Sequence, residues 1–221
     1  MALYPIFVEC KGRPVLVIGG GHVGAEKTRG LLAAEADITV VSPDLIPEMQ
    51  GYKDEGRIRH IEREYTESDL DGGWDFVMCA TDDGKVNAEV NAACKRRRLW
   101  INAADDPVNC DFILPSVVRK GKITLAASTS GTSPALARRL REELDAYLTE
   151  DMPALADLLA EVRQEVRARG IKIENDTWQY AIDGQLRVLL AQRKLGQARA
   201  RLIQRLGIEL TPIGVPAGGG D

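Results

Sequence analysis

Apolar positions along the chain cluster into short runs separated by longer polar stretches. Val15-Leu16-Val17-Ile18 is a continuous apolar run that ends in Gly19-Gly20-Gly21, and it predicts a strand buried on both faces. Residues 22–35 are helix formers with Val23, Leu31 and Leu32 as apolar anchors, and Ile38-Thr39-Val40-Val41 is a second β-branched run. Strand, helix and strand therefore follow within about 30 residues. The same rhythm recurs more loosely in a strand at 58–61, another at 76–79, a helix over 85–97 and a strand at Leu99-Trp100-Ile101. Such alternation predicts an α/β fold with a parallel sheet covered on both faces.

After Asn102 the rhythm changes. A loop rich in Asp and Pro, AADDPVNCDF, precedes a further strand at 123–127. Ser133-Pro134 places a capping hydroxyl before a proline at the first helical position, so a helix starts there. Leu136, Leu140, Leu144 and Leu148 then recur every four residues opposite Arg138, Arg139, Arg141, Glu142 and Glu143. A second stripe holds Leu155, Leu158, Leu159, Val162 and Val166, and residues 152–206 contain no strand run. This predicts an all-helical region joined on near Glu150-Asp151-Met152-Pro153, with Pro216 to Asp221 as a frayed tail.

Composition narrows the class. At 221 residues and 24.2 kDa the chain exceeds one average domain. Its 29 Lys+Arg against 33 Asp+Glu give a net charge of −4, which argues against a protein that coats nucleic acid. The four cysteines, Cys10, Cys79, Cys94 and Cys110, form no Cys-x-x-Cys pair, and His22 and His60 are the only histidines. Neither a disulfide framework nor a protein-held metal is expected, and free thiols fit a reducing cytoplasm. Glu9 and Lys11 interrupt the start before any long apolar run, and no stretch reaches the about 18 apolar residues of a span, so neither a signal peptide nor a membrane helix is expected.

Gly19, Gly21 and Gly24 make G-x-G-x-x-G between a predicted strand and a predicted helix. The first glycine permits the tight turn, the second lets backbone approach a pyrophosphate, and the third lets helix pack on strand. The helix N-terminus then faces the phosphates. Asp44 follows Gly24 by about 20 residues, where a carboxylate accepts hydrogen bonds from an adenosine ribose, with Ser42 as an alternative contact. No Lys or Arg occurs between Asp37 and Gln50, so NAD is favoured over NADP; the competing role for Asp44 is a turn cap before Pro47. Thr81-Asp82-Asp83 ends a strand at the sheet edge where open α/β sheets bind ligands, and it equally suits a helix cap. Asn102-Ala103-Ala104-Asp105-Asp106 opens onto the same edge, either as a plain Asp-Asp-Pro turn or as the source of a carboxylate that accepts a proton beside a nicotinamide.

These residues resemble one family, the precorrin-2 dehydrogenases, which include the N-terminal part of sirohaem synthase and the fungal dehydrogenase/chelatase. The resemblance rests on YPIFVECKGRPVLVIGGGHVGAEK, ATDD, INAADDPVNCDFILPSVV and TSGTSPALARRLREEL, in that order and spacing. It implies a Rossmann-type domain over 1–112, a dimerisation region over 113–150 and a helical domain over 151–210, with 211–221 as a flexible tail. It further implies NAD-dependent oxidation of precorrin-2 to sirohydrochlorin by a homodimer, with Asp105 as the essential acid/base residue. His22, Val23, Pro43 and Asp44 match the family's dinucleotide contacts. Two departures stand out: Gly24 replaces a commoner alanine, and Thr129 stands where many relatives carry a serine that can be phosphorylated.

The implied substrate is a tetrapyrrole fringed by carboxylates. Asn102, Ser128, Thr129 and Thr132 are its candidate hydrogen-bonding partners, and Arg138, beside Arg139 and Arg141, offers the fork that carboxylates favour, unless these arginines only solvate a helix face. Lys95-Arg96-Arg97-Arg98 reads as a complement to a helix dipole. Rival readings are a bifunctional enzyme that also inserts Fe²⁺ or Co²⁺, and a regulatory module that senses NAD without chemistry. A short-chain dehydrogenase is excluded, because the positions four after Tyr4, Tyr52, Tyr65, Tyr147 and Tyr180 hold Val8, Gly56, Asp69, Asp151 and Gly184 rather than lysine.

Overall fold

A computed structural model describes residues 2–104 and 110–209. They form two compact units, one running up to Leu114 and including Ser130–Thr132, the other comprising Pro115–Thr129 and the chain from Ser133 onward. The expected tail at 211–221 lies outside the described residues.

In the first unit β1 (Pro14–Ile18), β2 (Asp37–Ser42), β3 (Arg59–Glu62), β4 (Phe76–Cys79) and β5 (Trp100–Ala103) form a parallel five-stranded sheet in the order β3-β2-β1-β4-β5. The continuous apolar runs occupy its centre, as strands covered on both faces require. Val15 and Val17, in register with Ile38 and Val40 on one side and Phe76 and Met78 on the other, face α1 (His22–Leu32) and α2 (Pro47–Asp54) through Ala25, Leu31 and Met49. Leu16 and Ile18 alternate to the opposite face with Val77, Cys79 and Ile101, against Val90, Ala93 and Cys94 of α3 (Gly84–Arg97). The edge strand β3 is polar, reading Arg-His-Ile-Glu, which discourages pairing with another chain.

Helix ends follow the side chains available. Asp83 caps α3 by accepting from Lys85 N at 2.8 Å and Val86 N at 3.4 Å. At the other end Lys95, Arg96 and Arg97 complement the dipole, and Arg96 and Arg97 also pair with Glu67 of a short 3-10 helix, Glu67–Asp71. Helix α1 stops at Leu32 rather than continuing to Glu35, which instead turns the chain with φ of 57°.

In the second unit β6 (Ser116–Lys120) and β7 (Ile123–Ala127) pair antiparallel across a tight turn, with Gly121 at φ +56°. Helix α4 (Pro134–Tyr147) starts at the Ser133 cap, whose Oγ accepts from Leu136 N at 3.2 Å. The expected all-helical region consists of α5 (Asp151–Ala168), α6 (Asn175–Ala181), α7 (Gly184–Ala191) and α8 (Leu195–Leu206). Leu158, Val162 and Val166 of α5 share a core with Leu186, Leu189 and Leu190 of α7 and Ala198, Leu202 and Leu206 of α8. By contrast α4 has no buried residue, and Leu136 is 51% exposed. No helix among the described residues is long and apolar enough to cross a membrane.

Candidate functional site

The turn after β1 is shaped by three glycines with different reasons for lacking a side chain. Gly19 has φ of +113°, and a Cβ there would lie 2.3 Å from the Ala80 carbonyl oxygen. Gly20 is equally constrained, because a Cβ would meet the Asp44 carbonyl oxygen at 2.1 Å and Ser42 Oγ at 2.5 Å. At Gly21 nothing lies within 4 Å of the added atom. Gly24, one turn into α1, sits on Gly19, whose carbonyl oxygen would be 2.2 Å from its Cβ. Gly19, Gly20 and Gly24 thus permit close packing of strand, turn and helix, and Gly21 leaves open space at the start of α1.

Helix α1 begins there with no side-chain cap and no acidic residue in its first turn. Its leading N–H groups and positive dipole end suit an anion, and a pyrophosphate fits this donor set. His22 and Val23 are exposed at that end.

Next to the turn, at the end of β2, Pro43 and Asp44 are exposed while Ser42 is buried. The Ser42 hydroxyl donates to the Asp44 carbonyl oxygen at 2.8 Å, so it shapes the bend that presents the Asp44 carboxylate. His60 Nε2 donates to the Ser42 carbonyl oxygen at 2.9 Å, which leaves Nδ1 to accept from Lys53 Nζ at 3.3 Å. Lys53 and His60 escaped the sequence reading. Lys53 lies beyond the Asp37 to Gln50 window in which a cation was sought, and a helix returns it toward β3.

At the end of β4 the Thr81 hydroxyl donates to Asn87 Oδ1 at 2.7 Å, and Asn87 Nδ2 returns a bond to the Thr81 carbonyl oxygen at 3.0 Å. Asp83 serves as the helix cap, and Asp82 is exposed beside it. Cys79, beneath this turn, is buried, and desolvation pushes its thiol up to about 12, so it remains protonated at neutral pH.

Asn102 is buried on β5, where its side chain bridges two elements. Nδ2 donates to the Phe112 carbonyl oxygen at 2.9 Å, and Oδ1 accepts from Lys27 Nζ at 2.5 Å. Asp105, the acid/base residue implied by the resemblance, lies outside the described residues, as does Asp106.

The remaining candidates belong to the turn and helix after β7. Ser128 and Thr132 are exposed. Thr129 Oγ1 donates to the Ser133 carbonyl oxygen at 3.1 Å and accepts from Ser133 N at 3.2 Å, which holds the entry to α4. Arg138 is exposed and pairs with Glu142 at 3.2 Å along the same helix.

Comparison with known proteins gives a consistent match. The NAD(P)-binding family NAD_binding_7 matches residues 6–116, and the family described as sirohaem biosynthesis protein central matches residues 120–147. The chain is 36% identical over 208 residues to a sirohaem synthase of Photorhabdus laumondii, covering 93% of this chain and 44% of that relative. It is 34% identical over 230 residues to that of Thioalkalivibrio sulfidiphilus, covering 100% of this chain and 47% of the relative. The chain therefore spans about half the length of these curated relatives. Among solved structures it resembles SirC, a precorrin-2 dehydrogenase, with a TM-score of 0.71 and 29% identity over 90% of this chain and 100% of that one.

Proposed function

The chain belongs to the NAD(P)-binding family NAD_binding_7, in the form found in precorrin-2 dehydrogenase modules, and we propose that it oxidises precorrin-2 to sirohydrochlorin with NAD⁺. The observation that carries this reading is the uncapped start of α1 above the open Gly21 position, in a chain alike over the full length of a precorrin-2 dehydrogenase.

In this reading the backbone of 19–24 holds the diphosphate, with His22 and Val23 flanking it, and the exposed Asp44 carboxylate accepts from the adenosine ribose. An acid at that place disfavours a 2′-phosphate by charge. NAD⁺ supplies the hydride acceptor, and the substrate loses a hydride and a proton. Asp105 takes the proton. Asn102, Ser128, Thr129, Thr132 and Arg138 are assigned to substrate recognition, Asn102 through the strand it anchors and the others through donors suited to peripheral carboxylates.

The functional form is a homodimer, with residues 113–150 as the dimerisation region; the exposed Leu136 of α4 supports this, on a helix with no fully buried residue. Its four cysteines are thiols rather than disulfides, which suits a cytoplasmic setting.

The test is NADH absorbance on mixing the protein with precorrin-2 and NAD⁺. Stoichiometric NADH with sirohydrochlorin formation is expected, and Asp105→Ala should abolish turnover while NAD⁺ binding persists. Binding of NAD⁺ with no NADH from the wild-type protein would identify a sensing module instead.

A further inference from the structure

Lys27 is a cation that the sequence reading did not use. It lies in α1 about 9 Å along the helix axis from Gly21, and helical side chains lean toward the N-terminal end, here the end bearing the glycine turn. Its ammonium donates to Oδ1 of Asn102, 75 positions away on β5, at 2.5 Å. An ammonium only donates and the Phe112 carbonyl oxygen only accepts, so these two partners fix which way the buried Asn102 amide faces.

That amide is part of a continuous staple between the chain entering and the chain leaving residues 105–109. Asp111 N donates to the Ile101 carbonyl oxygen at 2.9 Å, and Ile101 N donates to Asp111 Oδ2 at 3.0 Å. Cys110 Sγ accepts from Ala103 N at 3.2 Å and donates to the Ala103 carbonyl oxygen at 3.2 Å. Asn102 to Phe112 completes the row. Residues 101–103 and 110–112 are thus bonded side by side, and Lys27 is the link from this row to the dinucleotide helix. An apolar residue at 27 would leave a buried amide oxygen without this donor and remove the constraint on its orientation.

We propose that Lys27 is a positioning residue of the dehydrogenase, which acts through Asn102 to register the paired segments around residues 105–109 against the helix that receives the coenzyme diphosphate. This rests on the function proposed above, in which Asp105 takes the proton.

The test compares Lys27→Met, Lys27→Arg, Asn102→Ala and the Lys27→Met/Asn102→Ala double variant in the full chain. Lys27→Met should lower kcat on the order of tenfold to a hundredfold, as small misplacements of reacting groups do, with the NAD⁺ Kd unchanged. Lys27→Arg, which keeps a donor, should recover most of that loss. The double variant should turn over no more slowly than Asn102→Ala alone, because both changes break one link.

Hydrogen exchange at the Ala103 and Asp111 amides should accelerate in Lys27→Met. A wild-type kcat in Lys27→Met, a parallel rise in NAD⁺ Kd, losses that multiply in the double variant, or unchanged exchange would each overturn the proposal. Should the wild-type protein produce no NADH, the functional reading fails on its own, and the exchange rates still decide whether Lys27 holds the row.

Discussion

The carbonyl oxygen of Gly19 lies directly under Gly24, close enough that a Cβ on Gly24 would approach it to 2.2 Å. Helix α1 thus rests on the turn that precedes it. Replacing Gly24 with valine is expected to cost about 1 to 3 kcal/mol through overpacking, visible as a lower Tm. Gly21 differs, having nothing within 4 Å of an added Cβ. Gly21→Asp should fold with a Tm near the wild type and lose NAD⁺ binding, because its carboxylate would occupy the proposed diphosphate position with like charge. Titration calorimetry checks this, and unchanged affinity would remove the pyrophosphate from that place.

Asp44 is exposed at the end of β2, and its backbone carbonyl oxygen is held by the Ser42 hydroxyl. Asp44→Ala therefore deletes the proposed ribose acceptor without disturbing the bend. Affinity for NAD⁺ should fall by about tenfold, the scale of one or two hydrogen bonds to a charged group, and the preference over NADP⁺ should shrink. Equal losses for both coenzymes would assign Asp44 to the turn alone.

Acid stability should report on Asp183. Its carboxyl is held down at about 2, first by the hydrogen bond from Arg201, against desolvation and with help from Leu186 N, which it accepts as cap of α7. The unfolded value is about 3.9, so this contribution is complete above that pH and disappears as pH falls through about 2. Asp183→Asn keeps a capping oxygen but not the charge. The wild type should therefore be the more stable above about pH 4, with the gap in Tm closing toward about pH 2.

Leu136 is 51% exposed on a helix with no buried residue. If the proposed homodimer forms through this face, Leu136→Arg should shift the sedimentation coefficient from dimer to monomer at micromolar concentration, while far-UV circular dichroism stays the same. A dimer of unaltered affinity would place the contact elsewhere.

Much of this molecule could be read from periodicity. The runs at Val15 to Ile18 and Phe76 to Cys79 became central strands because residues buried on both faces are apolar without interruption. Elements with a single apolar anchor were invisible: α2 buries only Met49, the 3-10 helix only Leu70, and in β6 only Val118 is buried. The third of these gains its conformation from pairing with β7, a partner that periodicity within the segment does not reveal. The site divides in the same way. The glycine spacing is local and announced itself, whereas Lys27 with Asn102, and His60 with Ser42, are joined only by folding.

Gly19 rests against Ala80, the residue that follows β4, while its amide is bonded to Val41 at the end of β2. A growing polypeptide emerging from the ribosome therefore carries its entire glycine signature long before that signature can assume its bound shape. Coenzyme affinity should be absent from nascent chains that stop short of Ala80. The ability to hold a dinucleotide arrives with the fourth strand, which makes coenzyme retention a readout of sheet assembly during synthesis.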